Sequence, residues 1–157
     1  MRKSIIIQDS HGAMLPDLDW LDLETQAQAE LTSEDAAHPI ESALKPGERS
    51  GWRASAPGRQ TIRLLFDNPL AIKRIHLAFH EEEQARTQEF LVRWSSDDGR
   101  TYKEIVRQQY TFSPPGNIRE IEEYEVDLAE VTRLEITITP DISGGLIHAT
   151  IAELRLA

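Results

Sequence analysis

Apolar and polar residues alternate with a period of two along most of the chain after residue 60. This alternation is typical of β-strands that bury one face and leave the other in water. The pattern predicts strands at 61–66, 74–79, 90–94, 102–109, 124–128 and 134–138, and a last strand that starts at Ile147.

Turn-forming residues separate these runs. Asp67-Asn68-Pro69 follows the first run, and the Asp-Gly pair at 98–99 suits a tight hairpin because it accepts a positive φ. Proline, glycine, serine and asparagine mark loops at 113–117 and 140–145. Short strands at regular spacing, without helical crossovers, predict an all-β fold, an antiparallel sandwich or barrel.

The first 60 residues carry weaker signals. Residues 4–8 are compatible with an edge strand, 27–33 with a strand, and 39–44 with a short helix that has proline near its first turn. Leu18, Trp20, Leu21 and Leu23 form a hydrophobic flap. Because there is no internal repeat and no low-complexity linker, we expect one domain.

Strand order predicts where a ligand would bind. Consecutive antiparallel strands run in opposite directions, so successive connections alternate between the two ends of the fold. The short connections assigned to one end are 67–71, 96–101 and 128–131. The longer segments assigned to the other end are 45–60, 80–87, 111–117 and 140–146. Long loops gathered at one end of a rigid β scaffold usually carry the binding surface.

Side chains at the long-loop end suit a polar ligand. Arginine donates a planar fork of hydrogen bonds, and histidine and asparagine supply directional partners. An exposed aromatic ring offers a flat apolar face, which matches the C–H face of a sugar ring. The predicted ligand-binding residues are Trp52, Arg59, His80, Arg86, Tyr110, Phe112 and Asn117.

Each of these residues also has a purely structural interpretation. Trp52 could plug the core beneath the loops, and Tyr110 and Phe112 could pin their loop to the sheet. Arg86 could pair with the glutamates at 81–83 in a surface salt bridge worth about 0–1 kcal/mol. The prediction therefore depends on the shared end of the fold and not on any single residue.

Composition narrows the range of functions. The 157 residues include 17 basic and 27 acidic side chains, and the net charge of −10 disfavours binding to nucleic acid. The absence of cysteine excludes disulfides and thiolate metal sites. No apolar run reaches the roughly 18 residues of a membrane helix, and the apolar run at 5–7 is too short for a signal peptide. We expect a cytoplasmic protein that does not enter a membrane.

Enzymatic motifs are also missing from the sequence. There is no Walker loop, no nucleophile elbow and no His-Glu-x-x-His motif. His76 and His80 are four residues apart on a predicted strand, which separates them by about 13 Å and prevents shared metal binding. The glutamates at 81–83 are the best catalytic candidates, but a charged run in a loop is usually just solvated. We therefore predict a non-catalytic protein without a metal site.

Several segments resemble the galactose-binding-like superfamily, in particular discoidin or coagulation factor V/VIII type C domains and related carbohydrate-binding modules. The segments with this similarity are 29–34, 50–55, 60–66, 70–75, 95–102 and 152–154. The resemblance covers 26–157 and leaves 1–25 as an N-terminal extension packed on the domain. It implies an eight-stranded jelly roll that binds glycans, lipid head groups or proteins through loops at one end.

The resemblance also implies a structural calcium ion, which many family members hold between an aspartate and the closing glutamate. Here Glu153 matches the glutamate, but Lys45 stands at the aspartate position. Because an ammonium group repels a cation, calcium is possible but disfavoured, and no other cofactor is expected. We predict that Lys45 replaces calcium by pairing with Glu153, unless Lys45 is simply exposed to solvent.

Two functions remain open at this stage. One is a non-catalytic binding module for carbohydrate, and the alternative is a protein–protein interaction domain of a cytoplasmic assembly. The expected partner is thus a carbohydrate or a protein, and the oligomeric state is open.

Overall fold

The computed structural model describes residues 20–45 and 50–157. Within them, two short helices are α1 (Leu23–Gln26) and α2 (Glu41–Leu44). Eight strands in the same residues are β1 (Ala27–Leu31), β2 (Trp52–Pro57), β3 (Gln60–His80), β4 (Arg86–Ser95), β5 (Lys103–Phe112), β6 (Arg119–Thr139), β7 (His148–Ile151) and β8 (Glu153–Leu156). All their pairings are antiparallel, which confirms the predicted all-β sandwich. The predicted edge strand at 4–8 lies outside the described residues.

Strands β3 and β6 are long and belong to one continuous six-stranded sheet, whose two halves form two layers, called the first and the second sheet below. The first half of β3 and the second half of β6 belong to the first sheet, which has the order β1-β3-β6-β4-β5. Beyond residue 70, the second half of β3 pairs with the first half of β6 on one side and with β8 on the other. Strands β2 and β7 form a separate two-stranded sheet.

Two predicted turns are wrong, because the chain continues as strand through both. At 67–71 and 128–131 the β3–β6 pairing shifts register three times between Leu65 and Arg74, but it does not stop. Such irregularities bend a strand pair while keeping most of its ladder. The chain therefore bends here from one sheet into the other, and two pairs of predicted strands are single strands.

The alternation seen in the sequence places large apolar side chains between the sheets. Ile62, Leu64 and Val92 are fully buried, and the rings of Phe79 and Phe90 stack with centroids 5.2 Å apart. Burying one such side chain contributes roughly 1.5–3 kcal/mol. This core fixes the strands that carry the loops at either end.

The region before β2 packs onto this core. Strand β1 extends the first sheet along β3, and α2 lies within the predicted 39–44 helix. The amide of Leu21 donates to the Leu156 carbonyl, and Trp20 lies beside His76 with ring centroids 5.9 Å apart. The described part of the predicted N-terminal extension therefore contacts the domain, and its boundary at residue 25 stays a prediction.

The outer face of the first sheet carries a row of alternating charges. Register places Glu30, Arg63, Glu135, Arg93 and Glu104 side by side across five strands. The buried Glu135 carboxylate accepts hydrogen bonds of 2.9 Å from the Nε of both arginines. Because opposite charges on adjacent strands attract, this row favours the observed register over a slipped one.

The last predicted strand breaks at Ala152, so that β7 and β8 are separate strands. The amide of Ala152 donates to Ala78, and the chain passes from its β2 partner to its β3 partner. After this break, Leu154 and Leu156 are buried in the core.

Candidate functional site

Three long loops and a tight turn come together at one end of the sandwich, as predicted. The amide of Glu81 donates to Ile118, and the amide of Ile142 donates to Thr87. Gly58, in the turn between β2 and β3, donates to Ile147. The prediction is wrong for part of 45–60, because residues 52–57 form strand β2 and only the turn reaches this end.

The other predicted connections meet at the opposite end. The 96–101 hairpin contacts Thr132, which accepts from the amide of Asp98 and donates to the Ser95 carbonyl. Leu70 pairs with Val131, so the two bends lie side by side. The two groups of connections are therefore separated as strand order predicted, although two of the predicted turns are bends.

A polar cavity of about 260 Å³ opens at the long-loop end, and we call it the loop-end cavity. Its lining residues come from the 80–86 loop, from β2 and from the segment that enters β7. They are Arg53, His80, Glu81, Glu82, Glu83, Gln84, Arg86, Leu146, Ile147, His148 and Thr150. This volume lies just below the usual range for small-molecule sites, which suits a ligand of a few rings at most.

Several polar groups lie around this cavity. Arg53 is exposed and is the register partner of Thr150, whose buried hydroxyl has no hydrogen-bond partner among the described residues. The Nδ1 of His148 lies 2.8 Å from the Ala54 carbonyl oxygen. This contact makes Nδ1 the donor and leaves Nε2 as an acceptor in the neutral ring. An unpaired polar group in a native fold calls for a water molecule or a ligand.

His80 is the predicted residue that best fits a ligand contact. Its side chain is partly exposed and lines the loop-end cavity, with Nε2 3.1 Å from a carboxylate oxygen of Glu82. The imidazole and the carboxylate together can donate and accept hydrogen bonds.

Arg86 also lines the cavity, but its guanidinium group is committed to the fold. The residue is only 4% exposed, and Nε donates to Glu81 over 2.7 Å. Its Nη1 donates to the Pro140 carbonyl and to Gln88, and the guanidinium group lies 4.7 Å from the Phe112 ring centroid. Arg86 therefore ties the 80–86 loop to the 140–146 loop from beneath.

The pKa of Glu81 is affected by its ion pair with Arg86. Although burial opposes its ionisation, the Glu83 amide and the Arg86 guanidinium hold the pKa of Glu81 below its usual range. The resulting buried ion pair fixes the loop, so Arg86 acts on a ligand indirectly.

Tyr110 and Asn117 bind each other and their own loop. The Tyr110 hydroxyl lies 2.8 Å from Asn117 Oδ1 and 2.7 Å from the Arg119 carbonyl oxygen, and the Asn117 amide donates to Thr111. Both residues thus pin the 112–118 loop, as the structural interpretation of Tyr110 anticipated.

The other predicted binding residues fall into two groups. Trp52 is 1% exposed and Phe112 is fully buried, so both belong to the core and neither offers a stacking face. Arg59 is exposed at the long-loop end, and its Nε lies 3.4 Å from the Thr139 hydroxyl. The sequence prediction missed His148 and Thr150, although the start of the last strand falls at the end it had selected.

A buried carboxyl group, that of Glu120, continues from Arg86 into the sandwich. Gln88 Nε2 donates to Glu120 over 3.2 Å, and Glu120 is 1% exposed. The other oxygen of Glu120 has no donor among the described residues. Burial and the neighbouring Glu122 carboxyl raise the pKa of Glu120 to about 9, so Glu120 is protonated at neutral pH.

The predicted Lys45–Glu153 ion pair is wrong. The Lys45 ammonium lies 3.7 Å from Glu24, and Glu153 is 2.9 Å from His76 Nε2. A charged lysine side chain reaches solvent easily, and the largely buried Leu44 beside it keeps this part of the chain in place.

A larger cavity of about 350 Å³ lies elsewhere, between α1, β1 and α2. Its floor is mainly apolar, with Ala27, Leu31 and Ile40, and glutamates stand around it. It contains no residue from the long loops. We prefer the loop-end cavity as the candidate site, because small-molecule recognition needs converging polar groups that can both donate and accept.

Comparison with known proteins gives structural matches only. No protein-family model matches the chain, and no curated protein matches it. The family 32 carbohydrate-binding module of Clostridium perfringens NanJ, solved with galactose, matches with a TM-score of 0.61 at 14% identity over 87% of this chain and 96% of that one. A second such module, CBM32-3 from a family 31 glycoside hydrolase of the same organism, matches with a TM-score of 0.63 at 17% identity over 87% of this chain and 93% of that one. The module of AlyQ, solved with 4,5-unsaturated mannuronic acid, gives 0.60 at 16% identity over 84% and 95%.

The fold is therefore that of a galactose-binding-like β-sandwich, which confirms the resemblance seen in the sequence. More particularly, it is the fold of the family 32 carbohydrate-binding modules. Among the described residues, no helix is long and apolar enough to span a membrane.

Proposed function

We propose that this chain is a non-catalytic carbohydrate-binding module and that the loop-end cavity is its binding site. The observation that carries the proposal is the cavity itself, a polar pocket at the end where the long loops meet. Three structures that share the fold are family 32 carbohydrate-binding modules, and those of NanJ and AlyQ were solved with a sugar.

The lining of the cavity suits a sugar in its chemistry. Arg53 supplies several donors, and His148 Nε2 and the Glu82 carboxylate accept. Leu146 is 83% exposed at the same cavity and offers an apolar surface to the C–H face of a ring. The arrangement supplies polar contacts for hydroxyl groups beside an apolar contact for the ring.

Arg53→Ala is the most direct test, because Arg53 is exposed and is not part of the loop-holding network. We expect the affinity for a glycan selected on an array to fall roughly 10- to 100-fold in isothermal titration calorimetry, as hydrogen bonds to a charged donor are lost. Arg100→Ala, the same change in the hairpin at the opposite end, should leave the affinity unchanged. Equal affinities for the two variants, or no glycan binding by the wild type, would contradict the proposal.

One observation favours the alternative of a protein-interaction domain. Ile142 and Leu146, in one loop, are 50% and 83% exposed, and apolar side chains of this exposure are common where another protein docks. A pull-down would support this function if a partner were retained by Arg53→Ala but lost by Leu146→Ser. Loss of glycan binding in both variants, without a protein partner, would favour the sugar site. A cytoplasmic location likewise stays a prediction.

A further inference from the structure

A buried arginine occupies the corner where α2 meets β8. Arg155 is 6% exposed, and its Nη1 donates to the carbonyl oxygen of Ala43 over 2.5 Å. The same Nη1 lies 3.2 Å from the Leu154 carbonyl, and Nη2 donates to the Lys45 carbonyl over 3.0 Å. One guanidinium group thus joins the end of the α2 segment to the last strand.

The two carbonyls on the α2 side need such a donor. Residues at the C-terminal end of a helix lack intrahelical donors for their carbonyl oxygens. Ala43 is the third residue of α2, and Lys45 is its C-cap. A guanidinium group is always charged and presents several N–H groups in a fixed fork, so it can satisfy both oxygens at once.

The resemblance to family members with calcium places the ion at this corner, between position 45 and Glu153. Calcium needs six to eight oxygen ligands. Here the Ala43 and Lys45 carbonyl oxygens already accept hydrogen bonds from Arg155, and the Glu153 carboxylate is hydrogen-bonded to His76. A calcium ion would have to displace a buried cation, so the residues present do not fit it.

The charge state of Glu153 agrees with this arrangement. The hydrogen bond from His76 lowers the pKa of Glu153 below its usual range against the opposing effect of burial, and the nearby charge of Arg155 lowers it further. Glu153 thus accepts a hydrogen bond from His76 and lies near the cationic Arg155, both supplied by the chain itself.

We propose that the Arg155 guanidinium is the resident cation of this corner. It takes the part that a bound metal ion would play, by joining the carbonyl oxygens of the α2 segment to β8. The chain therefore folds without calcium. This cation comes from the last strand and donates hydrogen bonds to main-chain oxygens. The side chain of Lys45 is therefore not needed to hold the corner together.

The first test uses the unmodified full chain. Its melting temperature is expected to change by less than about 1 °C between excess EDTA and millimolar CaCl₂, and calorimetric titration with CaCl₂ should show no saturable binding. A rise of several degrees with CaCl₂, or saturable binding at micromolar to millimolar concentration, would overturn the proposal.

The second test compares two cations of the same corner. Arg155→Met leaves buried carbonyl oxygens without donors, and we expect the melting temperature to fall by roughly 6–12 °C. Lys45→Met keeps the Lys45 carbonyl and removes only an exposed side chain, so it should lower the melting temperature by less than about 2 °C. Equal shifts in the two variants would contradict the assignment.

A third variant covers the case in which Arg155→Met does not fold. Arg155→Lys keeps the charge but cannot reach two carbonyl oxygens with a planar fork, so it should melt below the wild type. A melting temperature equal to that of the wild type would show that charge alone suffices and would overturn the proposed bridging role.

Discussion

Replacing Glu120 by glutamine tests the buried, protonated carboxyl group in the sandwich. The protonated carboxyl group of Glu120 accepts a hydrogen bond from Gln88. A glutamine side chain can reproduce this contact, because its oxygen accepts from Gln88 and its amide group carries no charge. Glu120→Gln therefore mimics the protonated form without the need to bind a proton.

The size of the effect follows from the pKa of Glu120, which rises from an ordinary 4.5 to about 9 in the fold. Between pH 4.5 and pH 9, Glu120 binds a proton in the folded protein but releases it in the unfolded chain. The stability that depends on this proton is complete below pH 4.5 and is lost as the pH rises towards 9. Each pH unit in this window costs about 1.4 kcal/mol, or about 3 kcal/mol at pH 7.

We therefore expect Glu120→Gln to be more stable than the wild type by about 3 kcal/mol at pH 7. The difference should be under about 1 kcal/mol at pH 5 and should grow by about 1.4 kcal/mol per unit up to pH 8. Urea denaturation at these pH values measures it directly.

Glu125→Gln serves as the matched control for this prediction. It makes the same change of charge on the same strand, at an exposed position. The control corrects for the relief of the overall negative charge, and it should show no such growth with pH. A Glu120→Gln difference that does not vary with pH, or a variant less stable than wild type at pH 8, would refute the assignment of a proton to Glu120.

Two further substitutions test the sheet and the entry into β2. Glu135→Gln should lower the free energy of unfolding by about 2 kcal/mol, because two arginines lose their shared carboxylate, while Glu104→Gln at the exposed end of the row should cost under about 0.5 kcal/mol. Equal losses in urea denaturation would argue against the row of charges. Gly51→Ala should cost more than about 3 kcal/mol, since Gly51 has φ +64° and an added Cβ would lie 2.4 Å from a backbone oxygen. Gly58→Ala, at φ +85° with open space around it, should cost only about 1–2 kcal/mol, and similar melting temperatures for the two variants would contradict this reasoning.

Period-two alternation was sufficient to predict most strands, because a sandwich buries one face of each. It could not distinguish a bend from a reversal at Asp67-Asn68-Pro69. The same residues suit a turn and a bulge, and the outcome depends on whether β6, far along the chain, follows β3 through the bend. Pairing between distant strands is not encoded in a local pattern.

The candidate site was predictable in its location but not in its residues. Alternating strand direction selected the correct end, yet it could not tell Phe112, whose side chain is turned into the core, from exposed neighbours. The cation at the α2–β8 corner was assigned to Lys45 because only side chains can be read from a sequence. The bonds that decide the matter run from Arg155 to main-chain oxygens.

A series of hydrogen-bonded side chains behind the loop-end cavity explains why this region keeps polar groups that are costly to bury. It runs from Glu81 through Arg86 and Gln88 to Glu120, and Arg86 also holds Pro140 of the neighbouring loop. Loops fixed from within lose less conformational entropy when a ligand binds, which favours affinity. Glu120 lies at the far end of this chain, and glutamine preserves its contact with Gln88. Glu120→Gln should therefore stabilise the fold and leave ligand affinity unchanged. This result would show that protonation of Glu120 affects the free energy of unfolding without affecting how the loops are held.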